Sequence, residues 1–248
     1  SQIADIALDA DYDADTRTGF LRLRVRADGA RFTLLDDGGD TVLSGDAQDD
    51  ARYTLHGVTP WNAEQPRLYT LLVETASEAA RLRVGFRRVE IASGELRVNG
   101  ARVMLRGVNR HEFSPENGRA VTPESTRSDL MLMKQAHINA VRTAHYPDAP
   151  YFYSLCDELG LYVIDECDLE THGFEREGAP ARLADDPAWR AAYLDRAERT
   201  LARDRNHACV VMWSLANESY RGENLWAMCD FFHAADATRP VHYEGDHE

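Results

Sequence analysis

The sequence predicts an antiparallel β-sandwich followed by an incomplete (β/α)8 barrel. Two observations predict this order. Over residues 1–90 the hydrophobic period is two, and polar turns separate short alternating runs. After Gly100, continuous apolar runs alternate with helical stretches at intervals of roughly 30 residues, as in a parallel sheet covered by helices. The predicted domains are residues 1–90 and 91–248, and 248 residues suffice for two medium domains.

The predicted sandwich is built from short strands. "FLRLRVRA", residues 20–27, alternates strictly between apolar and basic residues, so Arg22, Arg24 and Arg26 are expected on the solvent face. Asp/Gly clusters such as "DDGGD" are typical of the turns between strands. The other predicted strands are "RFTLLD", "TVLSG", "RLYTLLVET" and "RLRVGFRRVEI".

The predicted barrel contains five strands and four helices, which alternate along the chain. Thr122 is a predicted helix cap, and Pro123 suits the first turn of that helix. A complete barrel needs about 250 residues, more than remain after the sandwich. A doubly wound sheet is the alternative, but no glycine-rich phosphate loop follows the first strand. The elements in order are "ARVMLRGV", "TPESTRSDLMLMKQA", "INAVRTA", "APYFYSLCDELG", "LYVIDEC", a helix from Pro187 to about Arg205, "ACVVMWSL", "GENLWAMCDFFHAAD" and "PVHYE".

Composition excludes some classes of partner. The chain has 42 acidic and 28 basic residues and a formal charge of -14, which argues against nucleic acid and anionic membranes as main partners. No apolar run reaches the ~18 residues of a membrane span, and no signal peptide is recognisable. The four cysteines form no CxxC pair, which favours buried thiols in a reducing compartment. We therefore expect a cytoplasmic location.

Ionisable residues follow the ends of all five predicted barrel strands. In a barrel the chemistry lies at the carboxyl ends of the strands, so this convergence predicts a functional rim. For any single residue, a structural salt bridge is the commoner explanation. The rim residues are Asn109, Arg110, His111 and Glu112; Arg142, His145 and Tyr146; Asp165, Glu166, Asp168, Glu170 and His172; Asn217 and Glu218; and Glu244 and Glu248.

Two features of this rim suggest particular chemistry. Glu170 and His172 are separated by one residue, so an extended backbone points both the same way, which suits chelation of a divalent cation. Zinc signatures such as H-E-x-x-H are absent, and alone the pair is a weak signal. Glu218, at the mouth of an apolar strand beside Asn217, has the setting of a general acid. A helix cap or a rim salt bridge explains its position equally well.

Five sequence motifs that contain or adjoin the rim residues occur in the same order as in one known family. "RGVNRHE", "NAVRTAHYP", "DECDLETHG", "RDRNHACVVMW" and "WSLANES" resemble the β-galactosidases of glycoside hydrolase family 2. "VTPWNAEQPRLYTL" followed by "VGFRRVEI" resembles the end of that family's immunoglobulin-like domain and the entry into its TIM barrel. The resemblance covers nearly the whole chain.

The resemblance implies a role for each matching residue. Glu218 would be the acid/base of a retaining β-galactosidase, and Glu170, His172 and Glu218 would hold a magnesium ion. Asn217 would bind the 2-hydroxyl of the sugar. His111 and His145 would contact galactosyl hydroxyls, and Arg142 would support the nucleophile region. The implied partners are a lactose-like β-galactoside and, for the parent protein, further copies of itself.

Some features of the sequence depart from the family pattern. Ala216 stands where these galactosidases usually carry glycine, and alanine there is common among the glucuronidases, although "VNRHE" and "DLETHG" favour β-galactosidase over β-glucuronidase and β-mannosidase. The family's nucleophile motif does not occur. We therefore expect a fragment that carries the acid/base without the nucleophile and is inactive alone. Its two open sheet edges predict that it is either excised from a larger chain or associates through those edges.

Two alternatives from other classes remain. The first is a non-catalytic glycan-binding or complementing module, which the missing nucleophile favours. The second is a metal-dependent barrel hydrolase of the amidase type. The absence of an H-x-H pair and of a lysine at a strand end argues against this second class.

Overall fold

The computed structural model describes residues 2–179 and 181–245, apart from the side chain of Glu175. These residues form two compact units. The predicted boundary at residue 90 stays a prediction, because compactness alone does not define a domain that folds by itself. The first unit comprises residues up to Met104, Ser154–Leu161 and Arg205–Cys209, and the second comprises Leu105–Tyr153, Tyr162–Asp204 and the residues from Val210 onward.

The first unit contains antiparallel sheets only. A three-stranded sheet has the order β1-β2-β5, a four-stranded sheet has the order β4-β3-β6-β7, and a small sheet has the order β10-β9-β8. The strands are β1 (Asp5–Asp13), β2 (Thr18–Arg26), β3 (Arg31–Leu35), β4 (Thr41–Asp46), β5 (Ala51–His56), β6 (Tyr69–Glu74), β7 (Ala79–Val84), β8 (Val89–Ala92), β9 (Glu95–Val98) and β10 (Ala101–Arg102).

Alternation places the apolar side chains of the two larger sheets in one core. Leu21 and Leu23 of β2, Leu34 of β3 and Leu71 of β6 are all buried in it. On the other face of β2, Arg22 pairs with Asp50 and Arg24 with Asp9, as expected for a solvated surface. This arrangement is that of a sandwich; the immunoglobulin-like topology implied by the resemblance stays a prediction.

The strand assignments differ from the predictions in two ways. β1, β5 and β9 lie in segments for which no strand was predicted, and the predicted strand "RLRVGFRRVEI" is divided into β7 and β8. The break contains Gly85, where a Cβ atom would lie only 2.6 Å from the Ala208 Cβ. The predicted strand "ARVMLRGV" is also divided. Its first two residues form β10, which pairs back onto β9 through a turn at Asn99 and Gly100, both with positive φ. Its last two residues belong to the parallel sheet of the second unit.

The second unit contains one parallel sheet in the order β11-β12-β13-β14-β15. Its strands follow the order of the chain, and helices lie between them along the sequence, which is consistent with part of a TIM barrel. The strands are β11 (Gly107–Arg110), β12 (Ala140–Thr143), β13 (Tyr162–Glu166), β14 (Val210–Ser214) and β15 (Val241–His242).

Five α-helices occur in the described residues, one more than predicted. The additional helix, α3 (Arg182–Asp185), has only four residues, too few for a recognisable hydrophobic period. Thr122 caps α1 through a capping box with Ser125, as the sequence predicts. The others are α1 (Pro123–Gln135), α2 (Pro150–Leu159), α4 (Arg190–Asp204), which follows a 3-10 turn at Pro187–Trp189, and α5 (Glu223–Ala235).

Two further predictions concern buried side chains and membranes. Along α5, Leu225, Met228 and Phe232 are buried, so this helix packs through the predicted stripe. All four cysteines are free, and three of them are buried. Within the described residues, no helix combines the length and the apolar character that crossing a membrane requires.

Candidate active site

The rim residues predicted from the five strand ends fall into three groups. Some are buried in ion pairs that stabilise the fold, some form a buried hydrogen-bonded network beneath a cavity, and some are exposed and cluster together. The three groups have different physical properties, although the sequence presents all of them in the same way, as polar residues after an apolar strand.

Arg110 belongs to the structural group. Its side chain is almost fully buried, and its Nη1 donates a hydrogen bond to Asp148 Oδ2 at 2.7 Å while its Nη2 donates to Asp129 Oδ2 at 3.1 Å. Burial raises the pKa of Asp148 to about 7, and the neighbouring Arg110 opposes this effect. Arg110 is therefore a core ion-pair residue rather than a candidate for substrate binding.

Asp165 is the second structural residue. It is fully buried, and the Tyr153 hydroxyl donates a hydrogen bond to its Oδ1 at 2.6 Å. Burial, with a further contribution from the nearby carboxylate of Asp204, raises the pKa of Asp165 well above its usual value. A carboxyl with no solvent contact cannot reach a substrate to exchange protons with it, so Asp165 is part of the core.

Glu166, the next residue, is the centre of the buried network. Its Oε2 accepts hydrogen bonds from Arg142 Nε at 2.6 Å and Ser214 Oγ at 2.7 Å, and its Oε1 lies 2.8 Å from His145 Nδ1. Because a carboxylate only accepts, His145 carries its proton on Nδ1 and keeps Nε2 for another partner. In the sequence, Glu166 is one of the predicted rim acids, and no pattern there indicates a role for it.

The network continues from Arg142 to Glu170 through one amide. Arg142 Nη2 donates to Asn217 Oδ1 at 2.9 Å, and Asn217 Nδ2 donates to Glu170 Oε1 at 2.7 Å. The main chain reinforces this link, since Asn217 N donates to Leu169 O at 2.9 Å. Because Arg142 can only donate and the Glu170 carboxylate only accepts, the Asn217 amide is oriented with Oδ1 towards Arg142 and Nδ2 towards Glu170.

Glu170, His172 and Glu218 form the exposed cluster. His172 Nδ1 lies 3.4 Å from Glu170 Oε1 and 3.1 Å from Glu218 Oε2, and one potential ligand atom from each residue lies within 4.8 Å of the others. The structure thus brings together the three residues that the resemblance names as a magnesium site. In the described part of the chain, neither glutamate forms an ion pair with arginine or lysine.

Two carboxylates and an imidazole without a balancing cation fit a divalent metal. Magnesium prefers oxygen ligands and retains several waters, so an exposed cluster of two carboxylates suits it. The side chain of Glu218 is 60% exposed, so the dry surroundings expected from its strand are absent. Glu218 also does not cap the helix that follows it, because α5 begins at Glu223 and its N-cap residue is Gly222.

A cavity of about 350 Å³ lies beside the network. His111, His145 and Glu170 line one part of it, and the rings of the two histidines are 5.3 Å apart and perpendicular. Sequence reasoning did not identify Trp189 or Tyr193, which also line the cavity. These two residues belong to a turn and a helix remote from any strand end, so no rim pattern could have found them.

At the end of β15, Glu244 Oε1 accepts a hydrogen bond from the main-chain N of Glu218 at 2.5 Å. This is the nearest approach of the fifth strand end to the exposed cluster that the described residues record. Glu248, the other predicted rim acid of this strand, lies outside the described residues.

Comparison with protein families identifies one that matches the second half of the chain. The sequence profile of the TIM barrel domain of glycosyl hydrolases family 2 matches residues 89–248. A β-galactosidase of Arthrobacter sp. (strain B7) is 47% identical over 98% of this chain and 24% of its own length. A β-galactosidase of Streptococcus thermophilus is 41% identical over 98% of this chain and 26% of its own length. The chain thus spans about a quarter of the length of these curated relatives.

Solved structures resemble the fold. A β-D-glucuronidase of Dictyoglomus thermophilum superposes with a TM-score of 0.86 at 21% identity, over 97% of this chain and 43% of that one. A β-glucuronidase of Ruminococcus gnavus bound to uronic isofagomine superposes with a TM-score of 0.86 at 23% identity, over 96% and 43% of the two chains. At this level of identity the likeness concerns the fold alone.

Proposed function

The chain belongs to glycosyl hydrolases family 2, and from that premise we propose that it carries the acid/base half of a retaining β-galactosidase site. The observation that carries the proposal is the position of Glu218 within 3.1 Å of His172, in a cluster that the Glu166 network supports from below. Glu218 is exposed and held by a turn, so it can reach the oxygen of a bound glycoside.

In this proposal Glu218 donates a proton to the leaving oxygen and later takes one from water. Retaining glycosidases use two carboxyls ~5–5.5 Å apart, one as acid/base and one as nucleophile. Asn217 uses one N–H for Glu170, and its second N–H is the donor proposed for the sugar's 2-hydroxyl. His145, with its Nδ1 on Glu166, presents Nε2 to a galactosyl hydroxyl, and His111 lies beside it. Arg142 keeps Asn217 in place and supports the nucleophile region.

The cofactor proposed is magnesium, with Glu170, His172 and Glu218 as ligands. The converging oxygen and nitrogen atoms support it, and so does the lack of an arginine or lysine ion-pair partner for either glutamate among the residues that the structure describes. When bound, the ion would balance the charge of the two carboxylates and orient the groups around it. Glu218 is both a proposed ligand of the ion and the proposed acid/base, so the metal site and the site of proton transfer share this residue.

The nucleophile is proposed to lie outside the described residues. The other glutamates of this rim that the structure describes are engaged: Glu112 with the main chain of Ala149, Glu166 in ion pairs, Glu170 with Asn217 and His172, and Glu244 with the main chain of Glu218. We therefore expect no turnover from the 248-residue chain alone. Activity restored by adding the remaining part of the protein would agree with this, and turnover by the chain alone would contradict it.

The substrate proposed is a terminal β-galactoside such as lactose. The names of the relatives at 47% and 41% identity support this, as do the motifs "VNRHE" and "DLETHG".

We also propose that the two larger sheets of the first unit form an immunoglobulin-like domain. The open edges of the parallel sheet, β11 and β15, are proposed to mediate association of the isolated chain, and the parent protein is proposed to be a homo-oligomer.

The test is Glu218→Gln in the full-length protein. Loss of the acid should lower kcat/KM for lactose by roughly 10²–10⁴-fold, the usual contribution of general acid catalysis. With dinitrophenyl β-galactoside, whose leaving group needs no proton, kcat/KM should change far less. The matched control is Glu198→Gln, an exposed glutamate on α4, which should leave both rates unchanged.

Two outcomes would overturn the assignment. Normal lactose hydrolysis by Glu218→Gln would show that Glu218 is not the acid/base. An equal loss on both substrates would point to a role in binding or folding instead. Binding of galactose without turnover by the full-length wild type would favour the glycan-binding alternative.

A further inference from the structure

The turn that carries Glu218 has an unusual backbone. Residues 217–220, which follow β14 and are called the 217–220 turn below, include Glu218 with φ of 41° and Tyr220 with φ of 59°. Non-glycine residues other than asparagine and aspartate rarely adopt this left-handed region, because Cβ then approaches the following carbonyl. Two such residues in one short turn persist only where the surroundings hold them.

Two side chains at the end of β15 bind the exposed side of this turn. The main-chain N–H of Glu218 donates to Glu244 Oε1 at 2.5 Å, and the next N–H, of Ser219, donates to the Tyr243 hydroxyl at 3.0 Å. The Tyr243 hydroxyl in turn donates to Tyr220 O at 2.8 Å. Two consecutive side chains, those of Tyr243 and Glu244, thus accept hydrogen bonds from two consecutive main-chain N–H groups of the turn, those of Ser219 and Glu218.

The segment before the 3-10 turn at His172 binds the other side. Asn217 N donates to Leu169 O at 2.9 Å, and Thr171 N donates to Ser219 Oγ at 3.0 Å. Ser219 Oγ closes the turn on itself by donating to Asn217 O at 2.8 Å. Since Glu170 lies in the same segment, these bonds fix the turn relative to Glu170. They do not include the Glu218 N–H, whose recorded acceptor among the described residues is Glu244.

We propose that Glu244 and Tyr243 are positioning residues that hold the acid/base Glu218 in its left-handed conformation. This inference rests on the proposed function. If Glu218 relaxed to an ordinary φ, its Cβ and carboxylate would swing away from His172, which now lies 3.1 Å from Glu218 Oε2. A misplacement of about 1 Å in a catalytic group costs on the order of 10²-fold in rate.

Glu244 has two competing explanations, as a nucleophile and as a metal ligand. Glu244 is hydrogen-bonded to the main chain of Glu218, and a retaining enzyme needs a second carboxylate near its acid/base. Its Oε1, however, is occupied by a main-chain N–H, and Glu244 is not among the residues whose ligand atoms converge in the exposed cluster. A hydrogen-bond acceptor and a nucleophile respond oppositely to replacement by glutamine, since Gln accepts through the same Oε1 but cannot attack a sugar.

The experiment compares Glu244→Ala and Glu244→Gln in the full-length protein. Glu244→Ala should lower kcat for lactose by roughly 10–100-fold with little change in KM, because the acid is displaced while the sugar contacts remain. The kcat/KM for dinitrophenyl β-galactoside should fall much less. Glu244→Gln should recover most of the loss on lactose, and Glu198→Ala should change neither rate.

Tyr243→Phe is the second variant, because it removes both bonds of the hydroxyl without changing charge. It should reproduce the leaving-group dependence of Glu244→Ala, while thermal unfolding of each variant checks that the protein remains folded. Loss of all activity in Glu244→Gln would overturn the proposal in favour of a nucleophile, as would equal losses in the alanine and glutamine variants. Normal rates in Glu244→Ala would overturn it as well.

Glu218→Gln, measured in parallel, separates this inference from the proposed function. If Glu218→Gln shows the leaving-group dependence and Glu244→Ala does not, only the positioning role fails. If neither variant shows it, the acid/base assignment of Glu218 itself fails.

Discussion

The buried network around Glu166 and the exposed cluster around Glu218 use the same kind of side chain in opposite ways. Glu166 is excluded from solvent and has three hydrogen-bond partners, one of them a guanidinium. Glu218 is 60% exposed, and among the described residues its carboxylate clusters with an imidazole and another acid. Burial with complete pairing makes a carboxylate rigid, while exposure without a cation leaves it free to bind a metal or exchange a proton.

The comparison predicts first a large difference in stability. Glu166→Gln should lower the free energy of unfolding by roughly 3–5 kcal/mol, because it leaves the Arg142 guanidinium without its buried counterion. Urea unfolding of the full-length protein measures this. A loss below about 1 kcal/mol would show that the network is solvated and that Glu166 resembles the exposed acids.

The second prediction concerns pH and the buried Asp148. Its folded pKa is about 7, raised by burial from 3.8, so the folded state holds the proton more tightly than the unfolded chain. The stability from this group is complete below about pH 4 and is lost as pH rises to about 7, on the order of 3–4 kcal/mol in total. The slope of unfolding free energy against pH should therefore flatten over this window in Asp148→Asn. An unchanged slope would contradict the raised pKa of the buried Asp148.

Magnesium should act on the exposed cluster and leave the buried network unaffected. Binding to the folded state alone adds about 2.7 kcal/mol to the free energy of unfolding at a concentration 100 times Kd. We expect the melting temperature of the full-length protein to rise with magnesium and this rise to shrink in Glu170→Gln, while Glu198→Gln responds as the wild type does. Chelator should lower the activity. If Glu170→Gln keeps the full response, the ion binds elsewhere.

The smallest effect is expected for the stability of Glu218→Gln. An exposed side chain whose recorded ion-pair partner is the exposed His172 contributes within about 0.5 kcal/mol, and relief of its repulsion with Glu170 acts in the stabilising direction. Unfolding in the absence of magnesium gives the measurement. A loss of several kcal/mol would mean that Glu218 is structural, and the kinetic test of its acid/base role would then lose its meaning.

Local patterns in the sequence determined much of the fold. Alternation along β2 predicts which residues enter the core, Thr122 and Pro123 predict where α1 begins, and apolar runs predict β12, β13 and β14. The pair Glu170 and His172 was predicted to face the same way, and both side chains meet Glu218. These features depend on residues near each other in the chain, so the sequence displays them directly.

Only the tertiary structure decided which rim residues form the site. Arg110 and Arg142 both lie at the end of a barrel strand, yet one is buried against Asp148 and the other meets Asn217, which is 75 positions away. Asp165 and Glu166 are adjacent and have different partners, and the left-handed Glu218 is held by Glu244 from the next strand. The physical reason is that partners of this kind are set by which strands become neighbours in the sheet. Local periodicity carries no information about that.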